Sequence, residues 1–140
     1  MTNSLREIPP LMNTIGGGKA EIDEALIENL VRTFYDRVRA DAVLGPIFAA
    51  KITDDWEPHL QTMMAFWSSV MLTSGRFKGR PMEKHQALPN IQPEHFSLWL
   101  ALFEATARDV CHQNVAENFV RKAQQIAISL QRGLGLIPFH

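Results

Sequence analysis

Two prolines, Pro81 and Pro89, set the tightest limit on how this chain can fold. Proline is at home in the first position of a helix, where its missing N–H has no partner to lose. It cannot continue a helix, and it pushes the residue before it, here Leu88, toward extended geometry. No more than about two helical turns fit between them, and His85 falls in the second. Upstream, Gly75 and Gly79 interrupt the chain, while Arg76, Lys78 and Arg80 make the approach basic. The segment reads either as a pinned mini-helix presenting one imidazole beside cations, or as a surface turn with an incidental histidine.

The remainder is helical by spacing. Ile27, Val31, Phe34 or Tyr35, and Val38 recur at steps of three and four, which predicts a helix from about Ile22 to Ala40. Asp41 to Lys51 reads as a corner broken by Gly45–Pro46 that presents Phe48. The next helix begins near Trp56 with Asp55 as its cap and runs through Leu72. His59, Met63, and Phe66 or Trp67 share one of its faces. After the proline-bounded segment, a helix from near Pro93 to about His112 aligns Phe96, Trp99, Leu100, Phe103 and Val110. Trp99, flanked by two leucines, is expected deep in the core, with its indole N–H in want of an acceptor. The last helix spans about Val115 to Gln131 and stops at Gly133 and Gly135. Alternating strand-like runs are missing, so the fold class is all-α.

At 140 residues the chain makes one domain, with residues 1–20 as a flexible N-terminal arm and 21–140 as the folded body. Pro9–Pro10 and Gly16–Gly17–Gly18 punctuate the arm. A formal charge of −1 gives no case for nucleic acid or an anionic membrane surface. The single cysteine, Cys111, rules out an internal disulfide and suits a reducing cytoplasm. Neither a membrane-spanning run nor a signal peptide is visible.

Phosphate loops, paired-carboxylate motifs and zinc-type spacings are absent. His95 and His112 read as surface histidines near helix ends. What remains is spread over four helices: His85, His59 on a Met-rich and aromatic face, the sole tyrosine Tyr35, and Trp99. A large planar apolar cofactor asks for such a set: apolar walls, an imidazole for its metal, donors opposite and cations at its polar edge.

From about Glu21 to Arg132 the sequence resembles the truncated haemoglobins, most closely their third group. The resemblance lies in Phe34–Tyr35–Asp36–Arg37–Val38–Arg39 and in Leu44–Gly45–Pro46–Ile47–Phe48. It continues in Trp56 with His59, in Phe66–Trp67, in Gly79 to Pro89 around Lys84–His85, and in Leu98–Trp99–Leu100–Ala101–Leu102–Phe103–Glu104. The glycine-pair motifs of the other two groups are missing. Pro58, directly before His59, is a departure that bears on how that imidazole swings.

The resemblance implies a two-over-two helical sandwich, globin-like, around a b-type haem and its iron. His85 is then the proximal iron ligand, and Tyr35, His59 and Trp99 are the distal residues. Phe48 stacks on the haem, while Met63, Phe66, Trp67, Ile91 and Phe96 line its walls. Arg76 and Lys84 reach its propionates. The implied ligands are O2, NO, CO or a peroxide. Two or three donors around one partially anionic ligand slow its release. Slow release suits redox chemistry, such as NO or peroxide detoxification, better than oxygen transport. The chain carries no flavin or nicotinamide domain, so turnover asks for an external reductase. The competing readings are a cofactor-free helical interaction module, whose aromatic faces are plain core, and a non-haem metal site using His59 and His85.

Overall fold

The computed structural model describes residues 22–53, 55–79 and 91–136. The arm over 1–20 and the segment holding Lys84 and His85 lie outside these residues. Five helices form the described part: α1 (Glu24–Ala40), α2 (Leu44–Lys51), α3 (Glu57–Leu72), α4 (Pro93–Val110) and α5 (Gln113–Gly133). α1 packs on α3, α4 packs on α5, and α1 lies against α4, so one helix pair rests on the other. This is the two-over-two sandwich. None of the described helices is long and apolar enough to cross a membrane.

Local chemistry sets where each helix begins. α1 starts two residues later than its periodicity suggests, because Asp23 Oδ1 accepts the Leu26 N–H at 2.9 Å as its N-cap. The corner at Asp41 to Lys51 is a correction: it is itself a helix. Asp41 Oδ2 accepts the N–H groups of Val43 and Leu44 at 3.0 and 2.8 Å and so opens α2. Pro46 then falls in the first turn, where its missing N–H leaves no ladder bond unmade. A side chain at Gly45 would place its Cβ 2.8 Å from the Arg39 carbonyl oxygen, so glycine lets α2 touch the end of α1 backbone to backbone. α3 is capped by Trp56 rather than Asp55, although Asp55 Oδ1 still accepts the Glu57 N–H at 3.0 Å. Pro58 thereby sits in the first turn of α3.

The core is aromatic where the helix pairs cross. Trp67 of α3 stacks on Phe103 of α4 at 5.1 Å and 11°, and Phe103 stacks on Trp99 at 5.4 Å and 5°. Phe34 of α1 meets Trp99 and Phe103 edge-on, at 5.5 and 5.2 Å. Phe34 and Phe103 are buried, and replacing such a ring by alanine costs roughly 3–5 kcal/mol. That scale makes the stack, and not the exposed ion pairs, the main brace between the layers.

Charged side chains fix the rims. Arg32 of α1 grips Glu57 of α3 through two bonds, at 3.0 and 2.7 Å. The hydrogen bonds from Arg32 and then from Gln61 hold the Glu57 carboxyl down at about 2. The folded value lies below the unfolded one, near 4.3, so this contribution is present above that pH and fades as pH falls toward 2. Replacing Arg32 by glutamine is expected to return Glu57 to the ordinary carboxylate range, which a carboxyl-carbon NMR titration reads directly.

Candidate functional site

A cavity of about 400 Å³ opens between the helix pairs. α2 contributes Leu44, Ile47, Phe48 and Lys51, spaced as one helical face, and Ile52 follows. α3 contributes Pro58, His59, Thr62, Met63, Phe66 and Trp67, again one face. His95, Phe96 and Trp99 come from the start of α4, Ile91 from just before it, and Ile126, Ala127 and Leu130 from the inner face of α5. Phe77, in the segment after α3, closes one side. The lining is apolar and aromatic apart from Lys51, His59, Thr62, His95 and the Trp99 indole.

Two of these polar groups meet at Tyr35. Tyr35 is buried at 4 % exposure just behind the lining, with its ring 5.0 Å from His59 and perpendicular to it. The Trp99 indole hydrogen-bonds the Tyr35 oxygen. An indole N–H only donates, so the phenol is the acceptor and keeps its own O–H to give. Burial pushes the Tyr35 phenol up, and the Trp99 bond pulls weakly the other way. Phe34 holds Trp99 edge-on from beneath.

Tyr35 is the only tyrosine, so phenolate absorbance reports on it alone. Its folded value lies above that of the unfolded chain, near 10. The stability it lends is therefore whole below that pH and is lost as pH rises beyond it. The phenolate signal is expected to stay silent at pH 10 and to emerge together with alkaline unfolding, followed by circular dichroism.

Of the residues singled out from sequence, Phe48, His59, Met63, Phe66, Trp67, Ile91, Phe96 and Trp99 meet around this one cavity. Tyr35 stands one layer behind. Arg76 does not line it: its guanidinium pairs with Glu24 at 2.5 Å, and Glu24 also accepts from the buried Ser68 hydroxyl at 2.6 Å. His85 and Lys84 lie outside the described residues. Two expectations are corrected. Trp99 is half-buried rather than deep, because one side of its ring faces the cavity. His95 is no surface histidine: it lines the cavity, and its Nδ1 accepts the Gln92 N–H at 3.0 Å. Together with the Gln92 side chain it completes a capping box at the start of α4. That bond leaves the proton of the neutral ring on Nε2.

Sequence reasoning missed Leu44, Ile47, Lys51, Thr62, Phe77 and the cavity side of α5. The α2 residues follow once that stretch is read as helix, since positions 44, 47, 48 and 51 then share a face. Among the described residues, no group of three or more His, Cys, Asp or Glu side chains is placed to hold a metal ion.

Comparison with known proteins places this geometry. A family model described as bacterial-like globin matches residues 11–131. The group 3 truncated hemoglobin ctb of Campylobacter jejuni is 34% identical over 116 residues, covering 81% of this chain and 91% of that protein. The crystal structure of a group III truncated hemoglobin from Campylobacter jejuni matches with a TM-score of 0.79 at 35% identity, over 85% of this chain and 96% of the other. A group 1 truncated hemoglobin, GlbN of a Nostoc species, is 34% identical over 86 residues, or 61% of this chain and 65% of that protein.

Proposed function

Because the chain belongs to the bacterial-like globin family, and within it to the third group of truncated haemoglobins, we propose that it retains a diatomic ligand for redox chemistry, with nitric oxide or a peroxide as the reacting partner. Its cofactor is haem. The residues present fit that group: a cavity in the size range of cofactor pockets, aromatic rings from α2, α3 and α4 in its walls, and a few polar groups among them. When bound, haem supplies an iron that takes a small ligand and passes single electrons.

The chain's own residues do the rest. His85 is the proposed iron ligand, on the strength of the proline-bounded segment that carries it. Phe48, Met63, Phe66, Trp67, Ile91 and Phe96 supply the apolar contact that keeps water out. Lys51 joins Arg76 and Lys84 as the cations for the propionates, Arg76 only by giving up Glu24.

One observation carries the redox reading: the Trp99-to-Tyr35 hydrogen bond beside His59, at the wall of a largely apolar cavity. A phenol that accepts one bond is a stronger donor of the next. His59 and Trp99 on the lining, with the phenol directly behind them, favour retention of a small ligand over its delivery. The test is to mix oxygenated protein with nitric oxide in a stopped-flow cell and assay nitrate. One nitrate per oxygen consumed is expected, with sustained turnover once a flavoprotein reductase and NADH are added. Oxygen leaving intact, with no nitrate formed, returns the protein to a carrier role.

A further inference from the structure

His59 is boxed by aromatic rings on three sides. Tyr35 lies 5.0 Å away at 89°, Trp56 at 5.7 Å and 88°, and Phe48 at 6.4 Å and 61°. Trp56 differs from the other two in where it sits. It caps α3 three residues before His59, so the two side chains are neighbours on one helix face. It does not line the cavity, and it is 9 % exposed. Its outer face is covered by the Arg39 guanidinium of α1, whose carbon is 4.8 Å from the ring centre. Trp56 also leans on Tyr35 at 6.3 Å and Phe48 at 6.4 Å. The indole is thus clamped between an α1 cation outside and the imidazole inside.

We propose that Trp56 is a positioning residue for His59: clamped by Arg39, it holds the imidazole edge against its own face and so keeps that ring turned into the cavity. Pro58 removes backbone freedom between them but does not set a side-chain torsion, so it cannot do this alone. Phe48 borders the ring from the cavity lining and Tyr35 from behind it, while Trp56 is the neighbour on His59's own helix that a cation of α1 clamps. Deleting the indole removes that clamped neighbour. His59 then samples other rotamers, and the part of the cavity that it lines with Pro58 and Thr62 becomes more open. This inference rests on the functional reading above only in its kinetic arm.

The experiment uses the purified protein saturated with carbon monoxide, so that it is diamagnetic, in four forms: wild type, Trp56→Leu, Trp56→Phe and Arg39→Gln. Its visible spectrum reports whether haem is present and so bears on the functional reading. Three-bond couplings of the His59 side chain report the proposal itself and are readable with or without haem. A single χ1 rotamer is expected in wild type and Trp56→Phe, and rotamer averaging in Trp56→Leu, with a smaller change in the same sense in Arg39→Gln. Carbon monoxide association after flash photolysis is expected to quicken about two- to tenfold in Trp56→Leu, the factor that one edge-to-face contact supports. In a His59→Leu background the same Trp56→Leu change is expected to alter that rate by less than about 1.5-fold, because the group it positions is gone. A single His59 rotamer in both Trp56→Leu and Arg39→Gln overturns the proposal. So does an acceleration that persists undiminished without His59, which marks a general loosening of the fold.

Discussion

Replacing His85 by alanine is expected to strip most haem from the protein, with the remainder showing an altered ferrous–carbonyl spectrum. The reason begins in the chain. Pro81 and Pro89 bracket His85 in the sequence, and proline is not tolerated inside a helix, so the sequence predicts a short pinned segment around that imidazole. Changes around a metal-bound histidine already cost roughly 10–100-fold in metal affinity, and loss of the ligand itself lies beyond that. Pyridine haemochrome assay of haem per chain measures it. Free imidazole in the buffer is expected to restore part of the spectrum by filling the vacated position. If haem content and the carbonyl spectrum match wild type, the ligand is elsewhere. His95 is then the first residue to test, since it lines the cavity.

The second large effect is on oxygen release, and the structure makes it unequal between two residues that sequence treats alike. Trp99 lines the cavity and donates to Tyr35; Tyr35 stands behind. Trp99→Phe removes the N–H that the phenol accepts, so the phenol loses the bond that orients it toward the ligand and strengthens its own O–H, and no indole is left to take its place. A hydrogen bond to a charged acceptor is worth about 1.5–3 kcal/mol, so release is expected to quicken by roughly ten- to a hundredfold. Tyr35→Phe deletes a hydroxyl but sets the Trp99 N–H free of its acceptor, and that N–H is then available to the ligand. A change several times smaller is expected for it. Carbon monoxide, which carries less charge, serves as the internal reference. Stopped-flow rates for both gases decide the matter. Equal effects of the two substitutions on oxygen would show that the indole and the phenol act independently. An effect below about twofold for both would remove them from the ligand's surroundings altogether.

Much of this architecture is legible in the residues themselves. α1, α4 and α5 carry long apolar stripes at helical period, and tertiary packing follows those stripes. The aromatic face of α3 also reads directly, because His59, Met63, Phe66 and Trp67 repeat at helical steps. α2 is harder. Gly45–Pro46 is turn chemistry by composition, and only the Asp41 side chain, reaching over two N–H groups, shows that the turn is a helix start. Trp99 misleads through its neighbours: Leu98, which suggests deep burial, is itself 40 % exposed. His95 misleads because the capping position it fills usually holds Glu or Gln, so its role shows only once the Gln92 N–H is seen to point at Nδ1. Trp56 marks a third kind of gap. Its helix position is readable, but its contact with Arg39 joins two helices and no local pattern encodes it.

The close approach at Gly45 divides the cavity rim into two sides that age differently under mutation. On the α2 side, the main chain of one helix rests on that of another, with no side chain between them to be trimmed or enlarged. Phe48 and Lys51 are therefore held in register with α1 whatever residues surround them. On the side beyond α3, the link back to α1 runs through Ser68, Glu24 and Arg76, three side chains of which two are exposed. Lineages descending from such a chain can remodel that second side one substitution at a time. The first side admits change only by altering the path of the backbone, so variation in what the cavity admits should accumulate on the second side.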